Sequence, residues 1–210
     1  MPSVNTRVFF SKMDRAKYIS HLDLNHCVQR AMRRSKLPVW QTEGFNPHTY
    51  VAFMLPLSLG QEGVCEAMDF RLTEDVAPEE VMQKLNDSLP PDIRVIRVAE
   101  PKYKNTDITT AEYTVESDID AQKFLQFMQS EKIEVEKKTK RGVSTVDLKP
   151  LVTELSAQQG EMKLRLPAGN DFSINPQLLF DAYMSATGDN VSRLRIVRTK
   201  VFCADGNEFC

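Results

Sequence analysis

The residues best suited to chemistry fall together near the N-terminal end of the chain. All three histidines, His21, His26 and His48, lie within one short stretch, which also holds Asp23, Arg30, Arg33 and Arg34. An imidazole can move a proton or ligate a metal at neutral pH. Arginines can grip phosphate or carboxylate through two parallel hydrogen bonds. If residues 21–35 are helical, His26, Arg30 and Arg33 stand at i, i+4 and i+7 on one face, with Arg34 beside them. Leu24, Val28 and Ala31 form a separate apolar stripe. The bland reading of the basic stripe is a solvated face, with positive residues favoured near a helix C-terminus. Asp23 has a structural explanation as the capping partner of Ser20, and His21 has one as a hydrogen-bonded surface residue.

A second group is Gly44-Phe45-Asn46-Pro47-His48. Gly permits positive φ, Asn bonds locally and Pro fixes φ, which together specify a tight turn. A turn explains Gly44, Asn46 and Pro47 but not Phe45 or His48. With Trp40 and Tyr50, Phe45 could stack on bases beside the basic stripe; packing into the core is the alternative for these rings. Glu66, on a later strand, is expected to face solvent, or to join His21, Asp23 and His48 in a mixed nitrogen–oxygen metal site. The spacings do not form a metal motif, so no metal and no cofactor is assigned. A further basic cluster, Lys137, Lys138, Lys140 and Arg141, reads as a charged hairpin tip that could extend an RNA path.

The composition sets the bounds. The chain has 210 residues, 41% of them hydrophobic, with a net charge of −2 and a pI near 6.0. That charge argues against a wholly basic nucleic-acid binder, but between Arg7 and Lys36 eight basic residues face only Asp14 and Asp23. The result is a local positive field on a mildly acidic protein. Cys27, Cys65, Cys203 and Cys210 are too scattered for a zinc or iron–sulfur site and read as reduced thiols, three in the core or in strands and one at a frayed end. No run of about 18 apolar residues could span a bilayer, and Met1 to Lys12 lacks the apolar stretch of a signal peptide. A cytoplasmic protein without membrane contact is expected.

The elements that must position these residues can be read from periodicity and breakers. Arg7 to Met13 predicts a strand. Ser20 predicts an N-cap for a helix over His21 to Ser35, which Pro38 ends. Tyr50 to Leu57 and Val64 to Leu72 predict an antiparallel pair, Pro78 opens a second helix, and Ile93 to Val98 makes a last strand. The polar stretch Lys102 to Thr110 marks a boundary, after which the order repeats. Glu112 to Glu116, Lys132 to Lys138, Met162 to Leu166 and Leu194 to Val201 read as strands. Ala121 to Gln129 and a segment after Asn175-Pro176 read as helices, and Thr139 to Gly160 is left as a hairpin or short helix. The economical reading is an α+β protein of tandem ferredoxin-like (βαββαβ) domains with antiparallel sheets, residues 1–104 and 105–210.

The segments Tyr18-Ile19-Ser20-His21-Leu22-Asp23-Leu24 and Gly44 to His48, with Arg30, Arg33, Arg34 and the run from Leu55-Pro56-Leu57 through Gly60 to Glu66, resemble a bacterial radical-SAM-linked family of unknown function. In that family the Gly-Phe-Asn-Pro-His motif is usually followed by proline; here Thr49 follows, a change expected to matter little. The resemblance implies an accessory role beside a radical-SAM protein. The chain itself lacks the close cysteine triplet of the radical-SAM cluster, so iron–sulfur chemistry would belong to the partner. A more distant similarity, of architecture alone, is to the repeat-processing ribonucleases of CRISPR systems. The leading expectation is an RNA-binding accessory protein that uses His21, Asp23, His26, Arg30, Arg33, Arg34, Gly44, Phe45, Asn46, His48 and Glu66. The alternatives are a metal-independent ribonuclease in which His21 or His48 moves a proton, and an adaptor that docks the radical-SAM enzyme without touching RNA. His21, Asp23, Asn46 and His48 are expected to converge in space.

Overall fold

The computed structural model describes residues 4–139 and 142–210. The chain is a mixed α/β protein whose described residues form four α-helices and a mainly antiparallel sheet. In the N-terminal half, β1 (Val4–Lys12), β2 (Ala52–Phe53), β3 (Glu62–Leu72) and β4 (Ile93–Ala99) alternate with α1 (His21–Ser35) and α2 (Pro78–Ser88). In the C-terminal half come β5 (Ile108–Ser117), α3 (Ala121–Phe127), β6 (Glu134–Thr139), β7 (Gly142–Asp147), β8 (Glu154–Gln158), β9 (Glu161–Pro167), α4 (Gln177–Thr187) and β10 (Leu194–Cys203).

The helices begin and end where local chemistry dictates. Ser20 is the N-cap of α1: its Oγ accepts from Asp23 N at 3.1 Å and donates to Asp23 Oδ2 at 2.7 Å. This satisfies one of the free N–H groups of the first turn. At the other end Lys36 takes a left-handed conformation and Pro38 follows. α2 opens with Pro78 at its first position, where a missing N–H costs nothing. Leu24, Val28, Ala31 and Met32 of α1, with Val81 and Leu85 of α2, cover one face of the sheet, packing on Val8, Phe10, Met68 and Phe70.

The sheet is continuous through both halves, in the order β4-β1-β3-β10-β5-β9-β8, with β2 also paired to β3. β3 makes the join because it is long enough to carry two neighbours on one edge. Its C-terminal part pairs antiparallel with β2 (Ala52 to Asp69, Phe53 to Met68), and its first residues pair in parallel with β10 (Glu62 to Val197, Gly63 to Arg198). The expected boundary near residue 104 falls just before a 3₁₀ turn, Asn105–Asp107. A second core around Phe124, Phe180, Tyr183, Leu164 and Ile196 lies in the C-terminal half. It also takes in Phe9, Cys65 and Ala67, from the side of the N-terminal sheet away from its helices.

Two expectations need correction here. Lys132 to Lys138 does not supply the second strand of the C-terminal half: among the described residues β6 pairs with β7 alone, in a separate hairpin, and β8 takes that place beside β9. β6 is dominated by Glu134, Glu136, Lys137 and Lys138, whereas β8 brings Leu155 and Ala157 to the core. The thiols are all free, but Cys27 is half-buried on α1. Cys210 is not frayed: its thiol donates to the Cys65 carbonyl, beside the buried Phe209. Of the basic hairpin cluster, Lys140 and Arg141 lie outside the described residues.

Candidate nucleic-acid interface

The α1 face forms as its spacing requires. Leu24, Val28, Ala31 and Ser35 are buried, while His26, Arg30, Arg33 and Arg34 are exposed. Arg34 is committed elsewhere: its Nη2 donates to the Ser88 carbonyl at 2.6 Å, at the end of α2, where free carbonyls attract a cation. Among the described residues, no ion pair neutralises Arg30 or Arg33.

The 41–49 turn is closed by its own hydrogen bonds. Thr42 N donates to His48 O at 2.8 Å, His48 N donates to Thr42 Oγ1 at 3.1 Å, and His48 Nδ1 lies 3.0 Å from Thr42 Oγ1 and 3.1 Å from Asn46 O. Gly44 has φ of +123°, which only glycine adopts without strain. Thr49 is wholly buried. Its hydroxyl accepts from Gln41 Nε2 at 3.0 Å and its carbonyl accepts from Gln29 Nε2 at 3.1 Å, which ties the turn to α1. The hydroxyl of this threonine, where the resembled family usually has proline, adds one bond from Gln41 to the turn that the Thr42 and His48 bonds already close. Phe45, at the tip, is 105% exposed and so touches nothing around it.

Trp40 and Tyr50 bracket this turn. Their rings meet edge-on at 6.5 Å, and the Arg71 guanidinium lies 5.4 Å from one centroid and 5.9 Å from the other. Trp40 is thus neither a core residue nor a free one. Arg71 escaped the sequence reading, although the two-residue period of β3 already placed 67, 69 and 71 opposite the buried Met68, Phe70 and Leu72.

His21 and Asp23 do not join Asn46 and His48. The His21 ring packs edge-on against Phe53 at 5.0 Å, and Asp23 is held by Ser20. The turn docks at Gln29, about 12 Å further along the helix by the usual rise per residue. Among the described residues, no group of three or more His, Cys, Asp or Glu side chains is placed to hold a metal.

Glu66 is the largest departure. It does not face solvent, and it does not join His21, Asp23 and His48; it is 5% exposed and gripped by Arg198. Arg198 Nε and Nη2 both donate to its carboxylate, and Nη2 also donates to Leu55 O at 2.7 Å. Burial works against the Arg198 charge, but Glu66, with Tyr113 and Cys65 adding to it, outweighs burial and the pKa is pushed up. Lys12 lies buried beside the pair; burial lowers its pKa, Glu66 opposes that shift and Arg198 adds to it. Burial also raises the phenol pKa of Tyr113, beside Arg198. Gly63 is required at this point, since a Cβ there would stand 2.1 Å from Glu66 Oε1.

A second network runs alongside. Glu62 accepts from Lys17 at 3.0 Å and from Arg195 at 2.6 and 2.8 Å, and Arg195 continues to Glu116. Burial would raise the Glu62 pKa, but the bonds from Arg195 and Lys17 outweigh it and hold the carboxyl below its ordinary range. A cavity of about 290 Å³ opens next to these groups, between Gln61, Tyr113, Lys137, Asn175 and Arg198. The run from Leu55 to Glu66 is therefore the electrostatic seam between the two halves.

No curated protein matches this chain. Residues 5–183 match the model of a family described as an uncharacterized protein conserved in bacteria (DUF2344), a description that names no reaction, ligand or partner. The match spans well over half of the sequence, and the chain belongs to this bacterial family.

Proposed function

We propose that this protein binds single-stranded RNA through the α1 face and the 41–49 turn, as an accessory to a radical-SAM enzyme. The observation that carries the RNA reading is Phe45, a large ring held wholly in solvent by a turn that is itself hydrogen-bonded and tied to α1. On the helix to which that turn is tied through Gln29, Arg30 and Arg33 are exposed and, among the described residues, have no opposing carboxylate. An exposed flat ring and uncompensated guanidinium groups on the same turn-and-helix unit complement a chain of bases and phosphates. The radical-SAM partner rests on the resemblance of the His21 and Gly44 motifs. The strand orders β4-β1-β3-β2 and β10-β5-β9-β8 support a tandem of two ferredoxin-like units, with the β6–β7 hairpin inserted in the second.

The test is fluorescence anisotropy with a labelled oligouridine at several salt concentrations. Arg30→Ala with Arg33→Ala should weaken binding and reduce the log–log salt slope by about 1.4, or roughly 0.7 for each lost phosphate contact on a single strand. Phe45→Ala should cost about fivefold or more through lost stacking while leaving the melting temperature unchanged. An absence of binding by the wild type, or equal binding by the variants, would overturn this reading.

A protein-docking reading has its own observation. Tyr18, Leu22 and Leu59 are all largely exposed, and Gly60 N donates to Lys17 O at 2.9 Å, which brings Leu59 to the start of α1. This apolar patch is suited to docking the radical-SAM protein. Leu22→Asp that abolishes co-purification with that enzyme but spares RNA binding would separate the two surfaces. The ribonuclease alternative lacks such support, because no described carboxylate is bonded to His21 or His48.

A further inference from the structure

The side of the N-terminal sheet away from α1 and α2 is not fully covered. Phe209 closes its inner end, stacking under the Arg7 guanidinium at 4.6 Å. Towards the outer edge, between the strands and the connecting segment 101–106, a groove of about 460 Å³ remains open. That volume lies within the roughly 300–1,000 Å³ of small-molecule sites.

The groove is built rather than incidental. Arg7 and Asp69 are directly opposite across β1 and β3, and form a bidentate pair at 2.7 and 2.8 Å in its floor. Arg7 is 2% exposed, so this floor is rigid and neutral. The walls are not neutral: Arg71 on one side and Lys102 and Lys104 on the other line the groove, and none forms an ion pair with a described residue. Three uncompensated cations thus converge on one depression of a protein whose net charge is −2. Tyr50 supplies a flat apolar surface, Tyr103 is held in the wall with Lys102 over its ring at 5.0 Å and its hydroxyl donating to Asp205 at 3.4 Å, and Asn5 and Asn105 offer donors and acceptors at the rim. An occupant must therefore combine an anionic group, a planar ring and polar ring edges.

We infer that this groove holds one nucleotide of a bound single strand, with the base against Tyr50 and the phosphate at Arg71, Lys102 and Lys104. The inference rests on the RNA reading above and assigns the RNA a place on the sheet. The chain connects the two surfaces: Trp40 N donates to Arg71 O at 2.8 Å, and Trp40 and Tyr50 bracket the turn that presents Phe45. Phe45 and the groove therefore mark successive positions along one path around the β2 edge. A peptide with an acidic side chain would satisfy the cations but would not use the flat face of Tyr50 or the amide rim as a base does.

The experiment uses labelled oligouridine with the full-length wild type, Lys102→Ala with Lys104→Ala, and Tyr50→Leu, followed by ultraviolet crosslinking of a 4-thiouridine oligonucleotide to the wild type. The lysine pair is exposed and its loss should leave the melting temperature unchanged. That variant should lower the salt slope by about 1.4. Tyr50→Leu should weaken binding about fivefold or more without changing the slope. The crosslinked peptides should include Tyr50 or Tyr103. If Arg30→Ala with Arg33→Ala weakens binding while both groove variants bind as wild type and no crosslink reaches these tyrosines, the groove inference falls and the broader RNA reading stands. If the wild type binds no RNA, both fall. If heparin, which has no bases, displaces the oligonucleotide from wild type and Tyr50→Leu alike and Tyr50→Leu binds normally, the groove is a phosphate track and not a nucleotide site.

Discussion

Arg198→Met, Glu66→Gln and the double change Glu66→Leu with Arg198→Met form a test of the seam between the halves. In the native protein both side chains are almost wholly buried, at 3% and 5% exposure, and the guanidinium also serves the Leu55 carbonyl. Removing one member of a buried pair leaves the other as an uncompensated charge, which costs about 3–5 kcal/mol. Glu66→Gln should lie at the upper end, because it strands both Arg198 and the buried Lys12, whereas Arg198→Met leaves Lys12 beside Glu66 and takes from the Leu55 carbonyl a donor worth about 1 kcal/mol. For a chain of this size the loss corresponds to a fall in melting temperature of roughly 6–20 °C. Replacing both residues with apolar ones takes away Glu66 and Arg198 together, so that Lys12 loses its counter-charge and its like-charged neighbour at once, and should cost less than the sum of the single changes. Urea unfolding followed by far-ultraviolet circular dichroism and by the fluorescence of Trp40 reads the outcome. Trp40 sits in the N-terminal half, so a weakened seam should also separate the two transitions. Single changes costing less than about 1 kcal/mol, or a double change equal to their sum, would refute the argument that this pair locks the halves together.

Three further outcomes follow from the same geometry. Gly63→Ala should destabilise by about 2 kcal/mol or more, because its Cβ would collide with the Glu66 carboxylate, and should cost far less when Glu66 is already alanine; equal costs in the two backgrounds would remove the steric explanation. Glu62 has a depressed pKa in the folded protein. The stability it contributes should be complete above its ordinary value near 4.5 and should be lost as pH falls through the lower folded value, so Glu62→Gln should flatten the decline in melting temperature below that pH. Ser20→Ala should cost about 1 kcal/mol by freeing the Asp23 amide at the start of α1, measured by urea unfolding; no change would mean that the cap is not the start signal for this helix.

Much of the local structure was determined by the sequence itself. Ser20 and Pro38 bound α1, the Leu24, Val28, Ala31 stripe sets which face is buried, and Pro78 opens α2; each rests on contacts within about one or two turns of chain. The composition of residues 44–48 specified a turn, and the spacing of Arg30 and Arg33 placed them on the exposed side. Those signals are local, so no tertiary information is needed to read them. The partners of Glu66, Glu62 and Arg7 had no such signal. Glu66 meets Arg198 across a separation of 132 residues, and Arg7 meets Asp69 across 62. A charged residue on a strand is by default a solvent residue. Only the parallel pairing of Glu62 and Gly63 with Val197 and Arg198 turns the Leu55 to Glu66 run inward. The same holds for β8, which displaces the more charged β6 from the sheet because β9 and the core behind it favour Leu155 and Ala157. The open groove behind β1 and β3 likewise exists only because segment 101–106 crosses that face without covering it. Periodicity tells which side of an element is apolar, but what covers the other side depends on how far apart in the chain the neighbours lie, and that is decided only when the sheet closes.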